Sequence, residues 1–196
     1  MNESLNSNMT DNSINSKETE ISSSFESQTS KTIKLNDQII YSIVLNLKDI
    51  LDGNKSQSKY ASKDIFYLYY IPSISLIDYI KHIMKYSQME ISTLINAIIY
   101  IDRFCYKNNY ILTENNIHRI LLSACLVSLK FNEDKLINNR NYSEIVGVSL
   151  EELNQLEFKM YLMLHFSLNV KSDFYETYYN FFMNNSISKN KNIKEK

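Results

Sequence analysis

Thr113–Asp134 reads TENNIHRILLSACLVSLKFNED, and its pattern decides the fold class. From Ile120 to Leu129 only Ser123 and Ser128 interrupt the apolar residues, and no Gly or Pro breaks the run. A helix that is apolar on nearly all sides must be surrounded by protein. The stretch is therefore read as the central helix of an all-α domain. Thr113 is the expected N-cap, Glu114 suits the positive end of the helix dipole, and Lys130 suits the negative end. A membrane span is the competing reading, but a bilayer needs about 20 apolar residues, and Lys130 ends this run well short of that.

Composition agrees with one helical core. The chain of 196 residues is long enough for one domain of ordinary size with residues to spare at its ends. Two glycines and one proline are too few for the tight turns of a sheet-rich protein, or for most phosphate-cradling loops. A formal charge of -1 gives no general attraction to nucleic acid or to an anionic membrane, so neither is expected as a partner. Cys105 and Cys125 lie in apolar helical segments without the spacing of a zinc site or the density of a disulfide scaffold, and are expected to be core thiols. The start, MNESLNSNMTDNS, has neither a basic nor an apolar signal region. An intracellular protein, nuclear or cytoplasmic, is the expectation.

Working outward, residues 1–32 are rich in Ser, Asn, Thr and Glu with isolated apolar residues, and are expected to be a disordered tail. Asn36 is the expected cap of a helix carrying Ile39, Ile40, Ile43, Val44, Leu47, Ile50 and Leu51, with a polar loop after Gly53. The aromatic run DIFYLYYI, 64–71, is expected to be buried and ends at Pro72. Ser75 and Asp78 form a capping box for a helix with Leu76, Ile80, Ile83 and Met84 on one face. Ser92 is the expected cap of the next helix, which closes at Asn108 and Asn109. Beyond the central helix, Asn138-Asn139 marks a turn, and a short helical turn should stop at Gly147. Ser149 and Glu152 form a second capping box, for a helix with Leu150, Leu153, Leu156, Met160 and Leu164 inward. Phe174, Tyr178, Phe181 and Phe182 give the last helix an aromatic face before a lysine-bearing tail, read either as a solvated terminus or as a weak nuclear address.

Two carboxylates break the apolar pattern. At about 100° per residue, Glu157 projects into the stripe of Leu153, Leu156, Met160 and Leu164. A carboxylate there is costly unless paired, and Lys130, at the end of the central helix, is the expected partner. On the residues alone, a purely structural ion pair is an open reading. Asp102 stands similarly between Ile95 and Ile98, and its sequence neighbourhood offers no partner. His82, His118 and His165 lie on three different segments with no catalytic or metal-binding spacing, so no catalytic, cofactor or metal residue is assigned.

The segments PSISLIDYIKHIMKYS, IIYIDRF, NIHRILLSACLVSLKFNED and INNRNYSEIVGVSLEELNQLE, with the spacings between them, resemble the cyclin box of the P-type and U-type cyclins, the group that includes the yeast phosphate-regulatory cyclins. The resemblance implies an all-α fold: a single box at 72–168 with five helices at 75–86, 92–107, 113–131, 142–147 and 149–164. Flanking segments at 33–71 and 169–185 each supply a helix, and a basic tail follows at 186–196. With about 30 residues after the box, a second box is not expected.

The same resemblance implies a regulatory subunit that binds and activates a cyclin-dependent protein kinase as a heterodimer, without being an enzyme itself. Lys130 and Glu157 match a pair at the family's kinase face. By that match Val127, Phe131, Tyr161, Phe166 and Leu168 are expected to supply apolar contacts to the kinase. The competing reading is a transcription-associated adaptor or scaffold that keeps the box but does not activate a kinase. One departure stands out. Ser73 occupies the place of an Arg that cell-cycle cyclins carry early in the first box helix, so their substrate-docking patch is not expected, and Asp102 loses its usual Arg partner.

Overall fold

The structure is a computed structural model that describes the backbone of residues 8–135 and 137–194, and side chains over 30–135 and 137–185. All regular structure among the described residues is helical. Seven α-helices follow one another: α1 Asn8–Gly53, α2 Leu76–Ser87, α3 Ile91–Asn108, α4 Ile117–Asn132, α5 Asn139–Val146, α6 Leu150–Met163 and α7 Ser172–Lys194. A 310 turn, Lys55–Tyr60, occupies the expected polar loop. The chain separates into two compact units, Met1–Gln38 and Ile39–Lys196.

The centre of the second unit is α4, which packs most extensively on α3 and α6. Every residue from Ile120 to Leu129 is buried, as expected of a helix apolar all round. Its two hydroxyls are satisfied without water: Ser123 donates to the Arg119 carbonyl at 2.7 Å, and Ser128 donates to the Thr93 carbonyl at 2.8 Å. Burying each large aliphatic side chain in such a run is worth about 1.5–3 kcal/mol. Around these three helices α2 packs on α5, α5 on α6, and α7 on α3.

Ser75 and Ser149 both cap their helices, but the reciprocal half of each capping box is replaced: the Asp78 carboxylate accepts the Ser75 hydroxyl at 2.5 Å and that of Glu152 pairs with Arg119. Ser75 accepts the Asp78 N–H at 3.2 Å and Ser149 accepts the Glu152 N–H at 3.1 Å. Gly147 closes α5 in the left-handed region (φ 75°), which a glycine adopts at no steric cost. We expect Ser149→Ala to lower stability by about 1 kcal/mol in urea denaturation, the usual loss when an N-cap oxygen disappears.

Several expected boundaries shift. Helix α1 begins at Asn8 rather than at a cap on Asn36, and no Gly or Pro stands between Asn8 and Asp52 to interrupt it. Of the expected disordered tail, residues 1–7 lie outside the described residues, and the backbone from Asn8 is helical. The side chains of the basic tail at 186–196 also lie outside them. Helix α3 is capped at Glu90 rather than at Ser92, whose hydroxyl bonds to the Glu90 carboxylate at 3.3 Å.

Thr113 is not the cap of α4. The Asn116 side chain accepts the Thr113 N–H at 2.8 Å and donates to the Ile111 carbonyl at 2.9 Å, folding 113–116 into a turn so that α4 starts at Ile117. Asn138, not Tyr142, opens α5: its side chain accepts the Asn141 N–H at 2.8 Å.

The aromatic run at 64–71 departs most from expectation. Only Phe66 is fully buried, edge-on to Phe104 (centroids 5.4 Å apart) and to Tyr110 (6.4 Å), while Tyr69, Tyr70 and Ile71 are exposed. The reason is that the backbone here is held from outside the core. Leu68 exchanges two hydrogen bonds with Asn115, and Arg119 donates to the carbonyls of Ile65 and Tyr67 at 2.9 and 3.1 Å. A strap fixed along the surface can turn only some of its side chains inward.

Candidate functional site

The two carboxylates that broke the helical pattern have different partners. Glu157, 9 % exposed on α6, accepts the Lys130 ammonium of α4 at 2.6 Å, which is the expected pair. The sequence reading missed a third member, Asn139. From the first turn of α5 it donates to the other Glu157 oxygen at 2.6 Å and to the Asn154 side chain at 2.7 Å. The Asn-Asn turn was legible, but not what its second side chain would reach. Three helices thus meet at one carboxylate with both oxygens occupied, and this charge-assisted geometry fixes their relative positions. The Lys130 side chain is more exposed than that of Glu157, so the pair sits at the edge of the core.

Apolar surface accompanies the pair. Phe131, the residue after Lys130, is 51 % exposed and Phe166 is 65 % exposed, with the half-buried Tyr161 ring stacked on Phe166 (centroids 6.2 Å, 12° between planes). Phe158 and Leu162, four residues apart on α6, are also exposed and were not anticipated. Val127 and Leu168 differ from expectation. Val127 is 0 % exposed inside α4 and Leu168 is buried, because α4 is enclosed by α3 and α6 and the 164–169 segment turns Leu168 inward. Neither offers apolar surface to a partner in this conformation.

Phe166 is held out by its backbone. His165 and Phe166 both take φ 53°, a left-handed conformation that costs non-glycine residues about 1–2 kcal/mol each. Side chains of α3 grip this turn. Asn108 donates to the Met163 carbonyl at 3.0 Å, Lys107 to that of Leu164 at 3.3 Å and Tyr100 to that of Leu168 at 2.8 Å. Arg103 bonds the carbonyls of Ser167 and Asn169. Tyr100, Arg103, Lys107 and Asn108 of YIDRFCYKN therefore bind backbone.

Asp102 accepts a hydrogen bond from the Tyr178 hydroxyl of α7 at 2.7 Å, so the absent Arg is replaced by a neutral donor from a distant helix. Burial pushes the Asp102 carboxyl above its ordinary 3.8, and the Tyr178 bond pulls the other way. A folded-state pKa above the unfolded one means that protonation favours folding. That contribution is present below the unfolded value and is lost as pH rises through the folded one. Asp102→Asn should therefore raise the melting temperature, relative to the natural chain, more at about pH 7 than at about pH 4. Equal shifts at both values would contradict this.

His82, His118 and Arg119 meet partners within the fold. His118, whose pKa burial lowers from 6.5, lies 3.2 Å from the Ile74 carbonyl, and His82 lies 2.8 Å from that of Ile145. Arg119 pairs with Glu152 of α6. Cys105 and Cys125 are free thiols, each pushed up to about 12 by burial. Among the described residues no group of three or more His, Cys, Asp or Glu could hold a metal ion, and no helix is long and apolar enough to cross a membrane.

The helical order and the Lys130–Glu157 pair coincide with a match of the cyclin family model to residues 2–168. The chain belongs to the cyclin family. Among curated relatives, Cyclin-P3-1 of Oryza sativa subsp. japonica is 32% identical over 131 residues, 67% of this chain and 54% of its own length. Cyclin-U4-2 of Arabidopsis thaliana is 38% identical over 108 residues, 55% of this chain and 50% of its own length. PHO85 cyclin-7 of Saccharomyces cerevisiae is 28% identical over 127 residues, 59% of this chain and 45% of its own length. The chain thus spans about half the length of the curated relatives it matches. The cyclin box resembles those of P-type and U-type cyclins, as the sequence motifs implied.

Proposed function

We propose that this cyclin binds and activates a cyclin-dependent protein kinase through the face built by Lys130, Glu157, Asn139, Phe131, Tyr161 and Phe166. The observation that carries the reading is the three-helix junction at Glu157, which is polar, held in a single geometry, and flanked by exposed aromatic side chains. Apolar anchors beside a fixed charged pair are the usual composition of a specific protein interface. Membership of the cyclin family and the name of the yeast relative, which ties that protein to PHO85, support a kinase as the partner. Val127 and Leu168 act behind this face, Val127 in the packing of α4 and Leu168 as an anchor for the turn that presents Phe166. The site would be regulatory and not catalytic, and the protein would act inside the cell, in the nucleus or the cytoplasm.

Affinity purification of the full chain from its native cell, with identification of the co-purifying kinase and an activity assay of the pair, tests the proposal. A kinase whose activity depends on the chain is the expected result. A stable chain that brings down no kinase, or a kinase left inactive, would favour the adaptor reading.

A further inference from the structure

A cavity of about 710 Å³ opens between α3 and α7, with Asp102, Arg103, Tyr106, Asn169, Phe174 and Tyr178 among its lining residues. A second, of about 320 Å³, lies along the same helix with Ile50 of α1 and Phe181 of α7 in its wall. The two share Asp102 and Tyr178, so this hydrogen-bonded pair stands between them. Tyr106, Phe174 and Phe181 are all exposed, leaving a run of aromatic surface on either side of one carboxylate.

The charges around the groove are unevenly satisfied. Arg103 is engaged with the carbonyls of Ser167 and Asn169, and Asp173 accepts the Phe174 N–H at 2.8 Å at the start of α7. Lys171 stands exposed at the rim. Asp102 has one oxygen on the Tyr178 hydroxyl and forms no ion pair among the described residues. A partly buried carboxylate with only a neutral donor is poorly compensated, and a cation delivered to it would supply what the fold does not. Aromatic faces beside that carboxylate favour a cation further, and suit the guanidinium plane or the alkyl stem of a basic side chain.

We propose that the groove between α3 and α7 docks an extended peptide segment of a partner protein, with an Arg or Lys side chain set against Asp102 and apolar side chains in the cavities on either side. The spacing fits such a segment. Phe174 and Phe181 are seven residues apart on a helix, about 10.5 Å at 1.5 Å per residue, and an extended chain covers that distance in about three residues at 3.3 Å each. Alternate side chains of an extended chain share one face, so apolar residues two positions before and two after the basic one, about 13 Å apart, can enter the cavities on either side of Asp102. The groove is built from α3 and α7, whereas the Lys130–Glu157 face is built from α4, α5 and α6, so the proposal does not rest on kinase binding.

The full chain, immobilised alone, is panned against displayed random hexapeptides, and the selected peptides are measured against the natural chain, Asp102→Asn and Phe174→Ser. We expect enrichment of Arg or Lys at one position with apolar residues two positions away on either side. Affinity should fall at least tenfold when citrulline replaces that arginine, or a neutral isostere that lysine. A similar loss is expected for Asp102→Asn, and amide shifts on peptide addition should be confined to α3 and α7. Phe174→Ser carries the same test on an exposed side chain that leaves the Asp102–Tyr178 pair in place. Selection without basic residues, equal binding by the neutral peptide, shifts mapping elsewhere, or self-association that covers Asp102 with a second copy would each overturn the proposal.

Discussion

Lys130→Met is expected to weaken binding of the co-purified kinase by about 2 to 5 kcal/mol, the range found when one partner of a buried charged pair is truncated at an interface. That corresponds to a loss of about thirtyfold or more in affinity. The cause is the charge left behind. Glu157 would keep its Asn139 hydrogen bond but face the kinase as an uncompensated carboxylate in an apolar stripe. Glu157→Leu strands the ammonium instead, and releases Asn139 as well. Because each single change includes the penalty of its orphaned partner, the double change Lys130→Met with Glu157→Leu should cost less than the sum of the two. Binding constants for the four proteins, with melting curves and far-UV circular dichroism of each, make the check. If the pair only holds the fold, melting temperature and affinity fall together. Full kinase activation by a stably folded double variant would remove the pair from the interface.

Phe66→Ala should be among the most destabilising single changes, by about 3–5 kcal/mol, since a fully buried phenylalanine takes both transfer energy and packing with it. In a domain of this size that lowers the melting temperature by about 6 to 20 °C. The ring lies edge-on to Phe104 and Tyr110, and it is the one side chain of the aromatic run driven wholly into the core. Tyr69→Ala, three positions on and 84 % exposed, is the control and should change stability by no more than about 0.5 kcal/mol. Similar losses from both would mean that the strap is held by all its aromatic residues rather than by one ring and its backbone bonds to Asn115 and Arg119.

These two sites also mark the boundary between what is local and what is not. The sequence by itself determined the helical class, the central position of α4, the N-caps at Ser75 and Ser149, and the pairing of Lys130 with Glu157. All of these follow from periodicity or from a charge interrupting it. A helical stripe is repeated over several turns, and a buried carboxylate needs a cation, so both leave a trace in the order of residues. Only the tertiary structure decided that Asn139 completes the junction at Glu157, that Tyr178 replaces a cation beside Asp102, and that Arg119 meets Glu152. It also decided that Val127 lies inside while Phe158 and Leu162 lie outside. Each of these depends on which helix face meets which neighbour, across separations of 18 to 76 residues for the three polar contacts. A single side chain meeting a distant partner repeats nothing along the chain, and so its contact exists only once α4 has gathered the other helices around it.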